Sequence, residues 1–327
     1  MFGHTFNAFT VLRLTQFEGS NQSLFLGALG NGSPPDFQSV YGAGSNPAVP
    51  TNLIQPEGQG GMSGTIVLAE NLSWLQAQDS GIFPLIYLDP PFNTGVRRVA
   101  SRPDDAGHFH FFDDNQGPDY LDFLGARLRE CYRLLTDNGS LYCHLDYREA
   151  HYVKVFLLDK IFGRTSFLNE VIWAYDYGGR SRHRWSPKHD TIFLYVKNPR
   201  SYVFNTDEVE REPYMAPGLV GPEKAALGKL PTDTFWHTIV ATNGKERTGY
   251  PTQKPEALLR RFIAASSLPG DVVLDPFAGS GTTGAAALQL GRGFVLVDES
   301  LDAFATMRKR FDVDGDETKV SSQVWIP

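Results

Sequence analysis

The chain has 327 residues, 41% of them hydrophobic and 20% charged, and carries a net charge of −7. That length holds one large or two modest domains, and that balance excludes fibrous and low-complexity classes. The acidic total opposes broad contact with nucleic-acid phosphates, so such contact would have to come from local basic clusters.

Residues 1–60 are rich in Gly, Asn, Ser, Pro and Gln, as in Gly30-Asn31-Gly32-Ser33-Pro34-Pro35, and read as an irregular N-terminal arm. No basic stretch followed by an apolar one marks a secretion signal there, and no apolar run along the chain is long enough to cross a membrane. Order is expected from a strand over 64–69. A second strand over 82–88, apolar throughout and so buried on both faces, runs into Asp89-Pro90-Pro91-Phe92.

Residues 93–119 form a long loop holding Arg97, Arg98 and Arg102, and loops of that length are usually functional. His108 and His110 within it are expected to be surface or core residues rather than chemical ones. Helical spacing covers 120–135, with Asp137-Asn138-Gly139 as its terminating turn and a strand over 140–145. A helix over 147–162 follows. Strands over 170–175 and 190–196 flank a basic cluster of Arg180, Arg182, His183, Arg184, Lys188 and His189. Taken alone, such a cluster reads as well as a solvated loop. Cys131 and Cys143 lack metal-ligand spacing and are expected in the core of a protein in a reducing compartment, the cytoplasm.

Residues 199–249 show little periodicity and read as an irregular insertion. A helix over 255–267, a strand over 271–275, a helix over 281–290 and a strand over 293–298 complete the pattern. Strand–helix alternation predicts an α/β fold, a doubly wound and mostly parallel sheet with helices on both faces. The catalytic domain is expected over 61–198 and 250–315, interrupted by the 199–249 segment. No internal repeat is visible.

The strand at 271–275 leads into Gly279-Ser280-Gly281-Thr282-Thr283-Gly284. Glycines there permit a tight turn and let a ligand approach the main chain, and the small residues Ala285, Ala286 and Ala287 let the helix lie close to the sheet. Asp298, at the end of the next strand, is placed for ribose hydroxyls. The ligand could be a nicotinamide dinucleotide or another adenosine compound. Asp275 favours the second, because a carboxylate at the strand end suits a cationic amino-acid moiety and opposes a pyrophosphate. S-adenosylmethionine carries that ammonium and no phosphate.

In Asp89-Pro90-Pro91-Phe92 the two prolines stiffen the backbone and remove two donors. The Asp89 carboxylate and the Pro90 carbonyl then present two acceptors, the number of N–H bonds on an exocyclic amino group. Phe92 offers a flat face for a base, so the turn is complementary to an amino-bearing nucleobase taken out of its stack.

With these residues in view the chain resembles the amino-directed DNA methyltransferases. Asp89-Pro90-Pro91-Phe92 is similar to their catalytic motif, and Asp275-Pro276-Phe277-Ala278-Gly279-Ser280-Gly281-Thr282-Thr283 to their cofactor loop. Tyr250-Pro251-Thr252-Gln253-Lys254-Pro255 resembles the motif that closes over the methionine part of the cofactor. The catalytic motif comes first and the cofactor motif last, the order of the β group, and Asn93-Thr94-Gly95 is similar to an extension in type III-like members.

The resemblance implies a Rossmann-like catalytic domain that moves a methyl group from S-adenosylmethionine to N6 of a flipped adenine in double-stranded DNA, as in restriction–modification systems. Cytosine N4 is the alternative; Asp89 leans toward adenine, since Ser is frequent at that position in the cytosine-N4 enzymes. A nicotinamide-dependent oxidoreductase and a DNA-binding protein without catalysis are more distant. The 199–249 segment becomes a target-recognition insertion, Arg180, Arg182, Arg184, Lys188, Arg97 and Arg98 become phosphate contacts, and Gln253 and Lys254 line the cofactor pocket or fix the sheet. No metal and no membrane are implied. A homodimer, and association with the nucleoid, are. Cytosine C5 chemistry is disfavoured, because neither cysteine follows a proline.

Overall fold

The computed structural model describes residues 63–95, 97–99, 111–113, 119–315 and 320–326. The expected N-terminal arm lies outside the described residues, as do His108 and His110. For 97–99 and 111–113 only the backbone is described, which leaves the side chains of Arg97 and Arg98 outside.

In chain order the described strands are β1 (Gly64–Leu68), β2 (Phe83–Leu88), β3 (Arg97–Val99), β4 (Phe111–Asp113), β5 (Leu135–Leu145), β6 (Phe167–Ala174), β7 (His189–Val196), β8 (Thr234–Trp236), β9 (Val272–Asp275), β10 (Gly293–Asp298) and β11 (Val320–Val324). Nine of them form one mixed sheet in the order β11-β1-β10-β9-β2-β5-β7-β6-β8. The other two, β3 and β4, pair antiparallel with each other inside the long loop. The main sheet is parallel except where β7 runs antiparallel to both β5 and β6.

The helices cover both faces, as expected of a doubly wound sheet. Against one face pack α1 (Asn71–Gln76), α2 (Tyr120–Leu134) and the helical stretch α3 (150–161), through Trp74, Leu124, Leu128, Leu134 and Val153 onto Val67, Ile86 and Leu88. Against the other pack α5 (Glu256–Ser266), α6 (Thr282–Gln289) and α7 (Leu301–Arg310), through Leu258, Phe262, Ala286 and Met307 onto Ile66, Leu85 and Leu296. One short helix, α4 (Pro222–Leu227), lies apart from these layers in the 199–249 segment. Alternate residues of β2 thus serve opposite cores. Each fully buried Leu contributes about 1.5–3 kcal/mol, and Leu85, Ile86 and Leu88 are all 0% exposed.

Several boundaries differ from expectation. Asp137-Asn138-Gly139 does not end α2; those residues belong to β5, which starts at Leu135. Leu135 is buried and pairs with Phe83, and a register shift in β2 between Phe83 and Leu85 absorbs the irregularity. The expected helix over 147–162 begins at Ala150 and contains a π-helical turn, Lys154–Leu158. β6 starts three residues earlier than expected, at Phe167 rather than Glu170. Helices α1 and α7 and strand β11 have no counterpart in the sequence reading.

The 199–249 segment is tied to the main sheet and to α5. Its strand β8 pairs in parallel with β6. Asn205 Nδ2 donates to the carbonyls of Ala264 and Ser267 at 3.2 and 2.8 Å, and ion pairs join Glu208 to Arg292 and Glu212 to Arg261 at 2.7 Å each.

Candidate active site

Strands β9 and β2 are neighbours in parallel register, Leu85 opposite Val273 and Ile86 opposite Leu274. Both motifs therefore leave the sheet at the same edge. From β9 the chain continues outward to β10, and from β2 the other way to β5, so this is the place where the strand order reverses. In open α/β sheets ligands bind in the crevice at such a point. A cavity of about 830 Å³ opens there, lined by Asp89, Pro90, Pro91 and Phe92 from one motif and by Asp275, Phe277, Ala278, Gly279, Ser280, Thr282 and Thr283 from the other. Gln253, Lys254 and Asp298 line it too.

The glycine loop is held from beneath. The Gly279 amide donates to Asp298 Oδ2 at 2.8 Å, and the Ser300 amide to Asp298 Oδ1 at 2.9 Å. Burial pushes the Asp298 carboxyl up to about 6, with those two amides pulling the other way. Asp275 is buried more deeply. Its oxygens accept from the Phe277 amide at 3.0 Å and the Thr283 hydroxyl at 2.5 Å, and burial pushes its carboxyl up to about 7 against those two hydrogen bonds. Asp275 thus shapes the turn from within, while also facing the cavity.

Two glycines are required by geometry. At Gly279 a Cβ would sit 3.3 Å from the Tyr250 ring, and at Gly284 a Cβ would come within 2.8 Å of Leu296 and 2.9 Å of Phe311. The second contact is the close packing of helix on sheet that the small residues suggested. From α7, Arg310 Nη1 donates to the Ser280 carbonyl at 2.9 Å and Nη2 to Glu256 Oε1 at 2.6 Å, locking the loop to α5. Sequence reasoning missed Arg310, whose partners Ser280 and Glu256 lie far from it in the chain.

At the other motif, the Asp89 carboxylate forms an ion pair with Lys254 through Oδ2, while Oδ1 is buried without a hydrogen-bond partner. The Lys254 ammonium also lies 4.9 Å from the centre of the Phe92 ring. Lys254 is expected to line the cofactor pocket or fix the sheet; its charged end sits on Asp89 and over Phe92. Gln253 is taken up by its own loop: Oε1 accepts from the Thr248 amide and hydroxyl at 2.8 and 2.9 Å, and Nε2 donates to the Glu246 carbonyl at 2.6 Å. Thr252 between these groups has φ +66°, a strained left-handed conformation for a β-branched residue.

Beneath Phe92 runs a buried polar chain that the sequence did not reveal. Tyr87 Oη lies 2.8 Å from His144 Nδ1, His144 Nε2 lies 3.2 Å from Asp190 Oδ2, and the Tyr175 hydroxyl donates to Asp190 Oδ1 at 3.0 Å. His144 is 0% exposed, and its ring lies 5.8 Å from that of Phe92. Burial pushes the Asp190 carboxyl up, but its interactions with His144, Lys254 and Tyr175 together hold it below its usual value. On the opposite rim, Asn71 Nδ2 donates to the Pro276 carbonyl at 2.7 Å, and Asn71 Oδ1 accepts from Arg127 Nε at 2.6 Å. The trace of this in the sequence is Arg127 among the apolar positions Leu124, Leu128 and Cys131 of α2.

The basic segment joins β6 to β7 and flanks the cavity through Tyr177, Pro187 and His189. Arg182 and Arg184 are exposed, and Trp185 between Arg184 and Ser186 is 98% exposed. Arg180 pairs with Asp176 on the surface at 2.8 Å. Lys188 differs from its neighbours: its ammonium donates to the carbonyls of Tyr177, Gly178 and Gly179 and so closes the loop on itself. Among the described residues no group of three His, Cys, Asp or Glu side chains could hold a metal ion. No described helix is long and apolar enough to cross a membrane.

Residues 83–309 match the N6/N4 methyltransferase family, described as DNA methylase. Type II methyltransferase M.HpaI of Haemophilus parainfluenzae is 31% identical over 251 residues, covering 77% of this chain and 75% of that protein. DNA adenine methyltransferase YhdJ of Escherichia coli K12 is 29% identical over 275 residues, covering 79% of this chain and 86% of that protein. Among solved structures, the putative DNA modification methylase TTHA0409 of Thermus thermophilus, complexed with S-adenosyl-L-methionine, superposes with a TM-score of 0.54 at 20% identity, over 81% of this chain and 99% of that one. The PvuII DNA methyltransferase, cytosine-N4-specific, gives a TM-score of 0.56 at 15% identity, over 79% of this chain and 89% of that one. At these identities the structures attest the fold, and the sequence matches carry the kinship: the chain belongs to the N6/N4 DNA methylase family, S-adenosylmethionine-dependent methyltransferases of exocyclic amino groups.

Proposed function

We propose that this chain methylates N6 of an adenine everted from double-stranded DNA. The observation that carries the proposal is the parallel pairing of β2 with β9, which sets Asp89 and the Gly279 turn on one cavity. That volume lies within the range of ligand sites.

The residues present fit S-adenosylmethionine. Gly279 leaves its main chain bare beside Tyr250, Asp298 braces the turn at the position expected to meet ribose, and Phe277, Ala278 and Ser280 complete the wall. When bound, S-adenosylmethionine supplies an electrophilic methyl group. The protein's part is to make the amino group a nucleophile. An adenine amino lone pair is delocalised into the ring. Asp89 and the Pro90 carbonyl accept its two N–H bonds, favour a tetrahedral nitrogen and release that lone pair. Acceptors fixed in advance and a base held on Phe92 lower the barrier through electrostatics and positioning. Asp89 or water takes the surplus proton.

Adenine is favoured over cytosine by the aspartate at position 89 and by the kinship with an enzyme named as an adenine methyltransferase. The nicotinamide reading leaves Asp89-Pro90-Pro91-Phe92 without a role. Arg182 and Arg184 would meet phosphates, with Arg180 released from Asp176 to join them, Arg97 and Arg98 approaching from the long loop, and Lys188 keeping the basic loop in shape. Trp185 would pack against the duplex beside the everted base. The 199–249 segment would read the target sequence. Such a substrate places the enzyme in the cytoplasm at the nucleoid, and the resemblance to the β group extends the proposal to a homodimer.

The test is nucleoside mass spectrometry on DNA incubated with the protein and S-adenosylmethionine. N6-methyladenine is the expected product. N4-methylcytosine alone would overturn the choice of base, and no methylated base would overturn the activity.

A further inference from the structure

Lys254 occupies two positions that an everted base must claim. Its ammonium sits on Asp89 Oδ2, leaving Oδ1 as the carboxylate oxygen without a partner, and lies over the Phe92 ring, the stacking face. The side chains of Lys254 and Asp89 are only 11% and 17% exposed. An ammonium at such a site is costly to leave unpaired. A base that stacks on Phe92 moves this ammonium off the ring, and the place beside Asp89 is then where the base can offer it an acceptor.

We propose that Asp89 and Lys254 act together as an acceptor–donor edge that reads the Watson–Crick side of the everted base. The carboxylate takes an amino N–H, and the ammonium moves aside to donate to the adjacent unprotonated ring nitrogen, N1 of adenine or N3 of cytosine. The inference rests on the reading of this cavity as the seat of an amino-bearing base, and it assigns Lys254 to the base rather than to the cofactor.

The chemistry of the bases supports the pairing. Adenine and cytosine each present an amino donor beside a ring acceptor. Guanine and thymine present a carbonyl oxygen beside a ring N–H, the reverse polarity, so the oxygen would face the carboxylate and the N–H would face the ammonium. Flipped bases are read in this way, by hydrogen bonds to the Watson–Crick edge. A site that leaves a buried polar group unpaired rejects the wrong substrate strongly.

The lysine is also mounted to pivot. Its carbonyl accepts from the Thr282 hydroxyl at 3.1 Å, and Pro255 starts α5 directly after it. The backbone is thus fixed to the glycine loop, so displacement of the ammonium falls to the torsions of the long side chain. Asp190 lines the same cavity, and the positive charge of Lys254 is among the influences that lower its carboxyl.

The test uses the full-length protein and duplexes containing its mapped methylation site. The target adenine is replaced by 1-deazaadenine, which keeps the amino group and exchanges the ring nitrogen for C–H; for a cytosine target the probe is 3-deazacytosine. Wild type should lose about 10- to 100-fold in kcat/KM on the deaza duplex, the range for one charge-assisted hydrogen bond. Lys254→Met should be slow on the natural base and nearly indifferent to the exchange, with a ratio within about threefold of unity, and Lys254→Arg should restore part of the penalty. Equal penalties in wild type and Lys254→Met, or no penalty in wild type, would overturn the proposal. So would a Lys254→Met variant whose sole defect is weakened binding of S-adenosylhomocysteine by calorimetry. If Lys254→Met does not fold, the wild-type penalty and the Lys254→Arg series decide. Failure to methylate any DNA would instead remove the reading on which the inference rests.

Discussion

The Gly279 amide points at the Asp298 carboxylate, 2.8 Å from its Oδ2. One side chain at the end of β10 thereby fixes the turn at the end of β9, and its other oxygen holds the Ser300 amide at the start of α7. Asp298→Ala leaves both amides without their acceptor. Binding of S-adenosylhomocysteine should weaken by about 10- to 100-fold, as expected for loss of hydrogen bonds to a charged group. Calorimetry checks this, and unchanged affinity would show that the loop holds its shape without Asp298.

Asp275 predicts a pH dependence of stability. Its carboxyl is pushed up by burial from 3.8 to about 7. The folded protein binds this proton more tightly than the unfolded chain, so the contribution of Asp275 is fully present below about pH 4 and is lost as pH rises through about 7. Asp275→Asn keeps the acceptor for the Phe277 amide and removes the buried charge. Thermal melts at pH 5.5 and pH 8 should show the variant gaining on wild type at the higher pH. Parallel curves would refute the prediction.

At Gly284 α6 packs closely against Leu296 of β10 and Phe311. Gly284→Ala forces a methyl group against Leu296 and Phe311. Overpacking of this kind costs about 1–3 kcal/mol, and urea unfolding should show a lowered midpoint at an unchanged slope. An unaltered midpoint would mean that the helix can retreat freely.

The basic loop divides into exposed arginines and a lysine engaged by the loop's own carbonyls. The double variant Arg182→Ala, Arg184→Ala should weaken DNA binding uniformly across sequences and reduce the slope of log K against log salt by about 2. Lys188→Met should act otherwise, by freeing the carbonyls of Gly178 and Gly179 and loosening the loop. Its signature is proteolytic cleavage within 177–188, which wild type should resist. Equal salt slopes for wild type and the double arginine variant would remove these residues from the interface.

Much of the site was legible because its signals are local. A buried apolar strand ending in Asp-Pro-Pro-Phe, and another ending in a glycine turn, each carry their chemistry within a dozen residues. The edge at which they meet follows from parallel pairing, which strand–helix alternation already implied. What stayed hidden depends on register between distant segments. His144 meets Asp190 because β5 and β7 run antiparallel, with His144 opposite Ile192. Arg127 meets Asn71, and Lys254 meets Asp89, across separations that no periodicity encodes. α1, at six residues, is too short for a helical pattern to stand out. α7 was concealed by the charges at its end, although Ala303 and Met307 lie one turn apart on its buried face. β8 joined the sheet through tertiary pairing to β6, within a segment whose composition reads as loop.

The central claim is that Asp89 acts on the substrate amino group and the Gly279 turn on the cofactor, within one cavity. Single-turnover methyl transfer by Asp89→Ala, measured beside its affinity for S-adenosylhomocysteine, tests this most directly. The account predicts a loss of at least about 10²- to 10³-fold in rate, with cofactor affinity within a few-fold of wild type. A variant that still transfers methyl groups at the wild-type rate, or one that loses rate only because the cofactor no longer binds, would contradict it.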